Sequence, residues 1–361
     1  MKAAVCYEFG KPLVIEDLEM RAPRPDEVLV KVAYTAICHS DLHDMNGDFE
    51  GGLPFVGGHE TAGRVAETGC AVSAFAAGDP VVVSLLEHCG ECVYCATGRS
   101  HLCVTKTTFD TDDALLDPRG RKVINKARVG GFAEYVLVHQ SQLVKLPESF
   151  PLDLACMLAC GVTTGFGAVV NRAKVPPFSS VAVIGAGGVG VNAIQGARVS
   201  GADPVIAVDI RDSKLERARQ FGATHTVNSV GTDPVAAVQA ITGGRGVEYA
   251  IVAVGDSQAL QQAWGMLCRD GKAVMVGLPP FEQPLFSISG FELAFSEKTV
   301  TGCCMGTTRP QLDVPALISL YQEGRYDLDS LVSGRYPLSR INEAIASTAA
   351  GEVYRNLIVV E

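Results

Sequence analysis

The sequence predicts an α/β protein with a doubly wound parallel sheet in one part and a β-rich domain in the other. Three observations predict this. From about residue 162 to Thr301, apolar strands alternate with amphipathic helical segments. A glycine-rich turn joins the first of those strands to its helix. Residues 1 to about 150 instead read as short β-segments separated by glycine and proline clusters. The 361 residues suit two domains, at about 150 residues each.

Taken in order, residues 28–33 and 63–67 alternate apolar with polar, and 81–84 is a short apolar run. Turn signals such as Gly51-Gly52, Gly57-Gly58 and Gly78-Asp79-Pro80 separate them. Residues 104–131 carry Asp110, Asp112, Asp113, Asp117, Arg119, Arg121 and Lys122, and read as a surface excursion or lobe. The uncharged stretch 154–170 holds Thr163, Thr164 and several glycines. It falls short of the ~20 apolar residues of a membrane span, so a buried turn and helix are expected. Strands follow at 181–184, 204–209, 249–254 and 272–277, with helices at 189–199 and 214–221, the second ended by Gly222. The tail, with helices at 314–323 and 341–350 and a strand at 356–360, is expected to return to the first domain.

Hydrophobic residues make up 47% and charged residues 19%, which excludes a disordered chain. Thirty Lys and Arg against forty Asp and Glu give a net charge of −10. That argues against nucleic acid or an anionic membrane as partner, but leaves small anionic ligands open. The apolar run at the N-terminus is too short for a secretion signal, and a cytoplasmic location is expected. In such a compartment the twelve cysteines are not expected to pair as disulfides.

The glycine turn runs Ile184-Gly185-Ala186-Gly187-Gly188-Val189-Gly190, a GxGxxG between a strand and a helix. Gly185 allows the tight turn and Gly187 the approach of a pyrophosphate. Gly190 allows close packing of helix on strand. Asp209 ends the next strand, where a carboxylate accepts hydrogen bonds from an adenosine ribose. It disfavours a 2′-phosphate, so NAD is expected over NADP. Arg211, two positions on, pulls the other way.

Cys89, Cys92, Cys95 and Cys103 form a CxxCxxC-x7-C cluster. Four thiolates enclose a tetrahedral Zn²⁺ with no open position, a structural site. An iron–sulfur cluster is the alternative that thiolates also suit. A second set, Cys38-His39-Ser40-Asp41-Leu42-His43, then Gly58-His59-Glu60, then Cys160-Gly161, is dispersed. Spacing alone does not show that it converges.

These stretches, with Gly57–Gly58, residues 160–165, the glycine turn and Val276-Gly277, occur in an order and spacing that resemble the zinc-dependent alcohol dehydrogenases of the medium-chain dehydrogenase/reductase superfamily. The resemblance covers nearly the whole chain. It implies a GroES-like catalytic domain at 1–161 and 305–361 and a Rossmann NAD-binding domain at 162–304. It implies that Cys38, His59 and Cys160 hold a catalytic zinc with a fourth position open, Glu60 standing beside it. Asp41 orients the histidine ligand, Ser40 bonds the substrate oxygen, and His43 is the solvent-side base. Arg355 lies near the pyrophosphate and Glu60, Lys214 near the adenosine ribose, and Gly188, Val189 and Val276 in the cofactor site. His39 stands where the family often has an arginine. Two zinc ions per chain, NAD, an alcohol or aldehyde substrate and a homodimer, with a homotetramer as alternative, complete the expectation.

Within that family, a primary or aromatic alcohol is the first reading, with Phe49, Leu85 and Leu86 as apolar walls. The second is a thiol–formaldehyde adduct, with Asp48, Glu50 and Lys106 as its recognition charges. The third is a non-enzymatic zinc- and nucleotide-binding protein.

Overall fold

A computed structural model describes residues 1–49, 51–105, 110–280 and 286–360. Contacts divide the chain into two units. The first is Met1–Gly161, Arg309–Ser319 and Leu328–Glu361; the second is Val162–Thr308 and Leu320–Asp327. The expected tail 305–361 is thereby split, for a physical reason. The Tyr326 hydroxyl donates to Asn192 Oδ1 at 2.7 Å, and the Asp327 N–H donates to Gln195 Oε1 at 2.7 Å, which ties 320–327 to the second unit.

Among the described residues, the first unit has a six-stranded and a seven-stranded sheet. The larger one is built on Glu27–Ala36, whose Val28, Val30 and Val32 are buried as the alternation requires. One edge of this strand pairs antiparallel with Glu60–Thr68, in a register that sets Ala36 against Glu60. Further along, the C-terminal strand Arg355–Val359 sets Leu357 against the same Ala36. Two residues past Ala36 is Cys38. One register therefore draws Cys38, Glu60 and Arg355 to the same end of the sheet.

The expectation of a surface excursion at 104–131 is corrected for its described part. Thr111–Leu116 and Lys122–Asn125 pair with each other and join the six-stranded sheet through Glu19–Met20 and Phe55–Val56. Ala114, Leu115 and Val123 are buried. The charges that hid these strands are paired locally. Asp117, itself buried, accepts from Arg121 Nε at 2.8 Å, and buried Lys126 reaches Asp110 at 3.0 Å and Asp44 at 3.2 Å.

The second unit is an all-parallel sheet in the order His225–Asn228, Val205–Asp209, Val181–Ile184, Val247–Val252, Leu267–Met275 and Thr299–Gly302. The order reverses beside Val181–Ile184, and the glycine turn leaves that strand's C-terminal end, the place where such sheets bind ligands. Among the described residues no single helix is long and apolar enough to cross a membrane. The uncharged stretch forms short helical segments, Leu152–Ala155, Cys156–Ala159 and Gly161–Gly167, with most of its side chains buried.

Candidate metal centre and dinucleotide loop

Cys38 caps the helix His39–Asn46 from an extended conformation. That helix carries Ser40, Asp41 and His43. The Asp41 carboxylate is buried and fully used. It accepts the Cys38 N–H at 2.8 Å and the Gly58 N–H at 3.1 Å, and lies 3.1 Å from His59 Nδ1. A carboxylate at Nδ1 holds a proton there, so that Nε2 is the nitrogen left to serve a cation. Ser40 Oγ lies 3.4 Å from that Nε2.

Ligand atoms of Cys38, His59, Glu60 and Cys160, all buried, lie within 4.8 Å of one another. The His59 imidazole is held well above its ordinary value; burial opposes its charge, but Asp41 and Cys38 outweigh that. The hydrogen bond between Cys38 and Cys160 pulls Cys38 well below the usual thiol value and pushes Cys160 well above it. Two thiols and an imidazole thus divide protons among themselves in a buried space. That donor set fits a divalent cation such as Zn²⁺, which favours deprotonated sulfur and nitrogen.

Glu60 is engaged elsewhere. Its Oε2 accepts Arg355 Nε–H at 2.9 Å, and its Oε1 accepts Arg355 Nη2–H at 3.0 Å and the Gly161 N–H at 3.1 Å. Arg355 Nη1 donates to the Tyr354 carbonyl at 2.8 Å. Burial pushes the Glu60 carboxyl up to about 7 against the pull of Arg355. The bidentate fork, with both oxygens accepting, is that of an ionised pair, and the guanidinium is raised accordingly. A Cβ at Gly161 would collide with this guanidinium. Sequence reasoning missed that function of Gly161; the signal was a glycine directly after Cys160.

Beyond the helix, Gly47 takes φ +80 and turns the chain back on itself. Asp48 Oδ2 then meets His43 Nδ1 at 2.8 Å, and Phe49 packs on the imidazole with ring centroids 5.1 Å apart. Asp48 is therefore engaged by His43. Glu50 and Lys106, its expected companions, lie outside the described residues. Leu85 and Leu86 are buried, and His39 is exposed at the helix start.

In the cysteine loop, Sγ–Sγ separations are 3.5 Å (Cys92–Cys95), 3.7 Å (Cys89–Cys103), 3.9 Å (Cys89–Cys95) and 4.0 Å (Cys92–Cys103). A tetrahedron with metal–sulfur bonds of about 2.3 Å has edges of about 3.8 Å. The Cys92 N–H points at Cys89 Sγ at 3.3 Å, and the hydrogen bond with the Thr105 side chain, followed by the Cys92 and Glu91 N–H groups, lowers the Cys89 thiol to about 6. The four sulfurs fit a closed zinc site.

In the second unit, Gly185 has φ +91 and a Cβ there would strike Val254, while a Cβ at Gly190 would strike the Gly185 carbonyl. At Gly187 a Cβ meets no protein atom within 4 Å, so the backbone presents an open cradle beside the start of the helix Gly190–Val199. Asp209 Oδ2 accepts the Ala186 N–H at 2.8 Å and Oδ1 the Arg211 N–H at 3.0 Å. The carboxylate is thus locked against the turn, beside Gly187. Lys214 lies in the helix Asp212–Gln220 that follows, and Val276 is buried just past Leu267–Met275. These residues fit a dinucleotide.

Comparison with known proteins points the same way. Residues 24–148 match the alcohol dehydrogenase GroES-like domain, and residues 188–323 match the zinc-binding dehydrogenase family. The chain is 37% identical to an NDMA-dependent alcohol dehydrogenase of Amycolatopsis methanolica, over 99% of this chain and 98% of that protein. It is 34% identical to an S-(hydroxymethyl)glutathione dehydrogenase of Komagataella pastoris, over 99% and 97%. It is also similar to the crystal structure of benzyl alcohol dehydrogenase from Acinetobacter calcoaceticus, with a TM-score of 0.93 and 35% identity over 100% of this chain and 99% of that one.

Proposed function

The chain belongs to the zinc-binding alcohol dehydrogenase family, and on that premise we propose that it interconverts a primary or aromatic alcohol and its aldehyde with NAD as hydride carrier. The observation that carries this reading is the buried grouping of Cys38, His59 and Cys160, with Glu60 tied to Arg355. Three protein ligands leave a fourth corner for a substrate oxygen.

When bound, zinc supplies a Lewis acid for that oxygen and the nicotinamide supplies the hydride acceptor. The chain's own residues do the rest. Asp41 fixes the imidazole of His59 so that Nε2 faces the ligand point. Ser40 Oγ, beside Nε2, accepts the hydroxyl proton of the alcohol as it passes its own proton on toward His43. His43 follows three positions later on the same helix face and is 30% exposed, so it can release that proton to solvent. Leu85, Leu86 and Phe49 supply apolar surface suited to an aromatic ring.

The open cradle at Gly187 supports a pyrophosphate there, with Arg211 and Lys214 toward the adenosine end. Asp209 supports NAD, since its carboxylate would accept from ribose hydroxyls and repel a 2′-phosphate. The structure of Asp48 also favours alcohol over a thiol adduct, because its carboxylate is taken by His43.

The test is NADH formation by zinc-loaded protein across primary and benzylic alcohols, with NADP in parallel. Turnover with NAD and little with NADP is expected. A rate strictly dependent on formaldehyde plus an added thiol would overturn the alcohol reading in favour of the adduct. Zinc binding without any turnover would return the non-enzymatic one.

A further inference from the structure

The sequence pairs His43 with nothing, and the family resemblance gives it the role of solvent-side base without naming a residue that orients it. The fold gives it a partner. The helix His39–Asn46 ends at Gly47, whose left-handed conformation directs its N–H to the Asp44 carbonyl at 3.2 Å and the next N–H, of Asp48, to the His43 carbonyl at 2.9 Å. That closure ties the Asp48 N–H to the His43 carbonyl, which brings the two residues together. The Asp48 carboxylate meets Nδ1 at 2.8 Å, and Phe49 covers the ring from one face. A left-handed cap, a carboxylate and an aromatic neighbour thus act on one imidazole within a span of seven residues, 43–49.

We infer that Asp48 is a positioning residue for proton release: it holds His43 in the tautomer with hydrogen on Nδ1, so that Nε2 is the atom that takes the proton. The inference rests on the alcohol dehydrogenase reading for the role of His43. The chemistry is a proton transfer only. Nε2 accepts a proton from the Ser40 side, the imidazole becomes cationic beside the Asp48 carboxylate, and the proton on Nε2 then leaves to water at the exposed edge. The arrangement repeats, at this distal position, the device by which Asp41 orients His59. Neutral imidazole has two tautomers, and a carboxylate at Nδ1 selects one. Asp48→Asn keeps the shape but offers an amide whose N–H₂ can face Nδ1 and select the other.

Two readouts on Asp48→Asn test this. The first is ¹⁵N NMR of histidine-labelled protein, with the His43 signals assigned by their loss in His43→Gln. The wild type is expected to show Nδ1–H at His43, and Asp48→Asn to lose that preference, while Asp48→Glu retains it. The second is the kinetic split: kcat in Asp48→Asn falls about tenfold, the scale of an orienting partner, with KM for alcohol and for NAD little changed. An unchanged His43 tautomer in both Asp48→Asn and Asp48→Ala, the second of which leaves Nδ1 no side-chain acceptor at position 48, overturns the inference, even if kcat falls. So does an unchanged kcat in a protein whose wild type turns over alcohols. The NMR readout does not depend on turnover, so a wild type inactive toward alcohols sinks the proposed activity without deciding the role of Asp48.

Discussion

Gly161 shows how much of the candidate site turns on one missing methyl group. Its N–H donates to Glu60, and the space where a side chain would start is filled by the Arg355 guanidinium. Gly161→Ala must push Arg355 off a carboxylate that is fully buried. Breaking a buried pair from one side costs about 3 kcal/mol or more. Urea unfolding should register that loss, and a change below about 0.5 kcal/mol would mean the guanidinium moves aside freely. Such residues were only partly legible. Cysteine and histidine are scarce enough to stand out, so the candidate ligands could be named from sequence. The convergence of Cys38 with Glu60 and Arg355 came only through the family resemblance, because it depends on the strand register at Ala36, which no local pattern encodes.

Among the elements, the cysteine loop has little core of its own. The short helices Val93–Ala96 and Ser100–Leu102 bury none of their residues. Four thiolates on a metal are what can hold such a loop. Cys92→Ala should therefore lose the loop's order, seen as rapid proteolytic nicking between residues 89 and 105. Resistance equal to wild type would assign the loop's stability to something other than metal. The strand Glu27–Ala36 begins with a different device. Burial pushes the Glu27 carboxyl up, but Arg21, at 2.6 and 2.8 Å, and the Arg24 N–H, at 2.8 Å, bring it below the usual carboxylate range. Its contribution to stability is thus present above the unfolded value of about 4.3 and lost as pH falls through the lower folded value. Glu27→Gln should lose less stability than wild type on going from about pH 5 to about pH 3; equal losses would show that the pair is not part of the acid response. Elements with an apolar signature, such as Val181–Ile184, were legible to the residue. Thr111–Leu116 was not, because Asp112 and Asp113 mask its buried Ala114 and Leu115.

For the molecule as a whole, the two candidate metal sites and the candidate dinucleotide site are built on three different kinds of local structure. The closed sulfur cage sits in a loop, the open cysteine–histidine set sits at a sheet end fixed by register, and the glycine turn sits where the parallel sheet reverses order. The division into two units was readable from the change of texture near residue 162, whereas the return of 320–327 to the second unit rests on Tyr326 and Asp327 finding partners far away in sequence. Zinc content per chain, measured for wild type and for Cys160→Ser, tests most directly whether the two cysteine sets do separate work. Both donor sets filled in the wild type, and about one zinc retained by a folded Cys160→Ser protein that still binds NAD but no longer turns over, is the expected result. Two zinc ions retained in an active Cys160→Ser protein would contradict it.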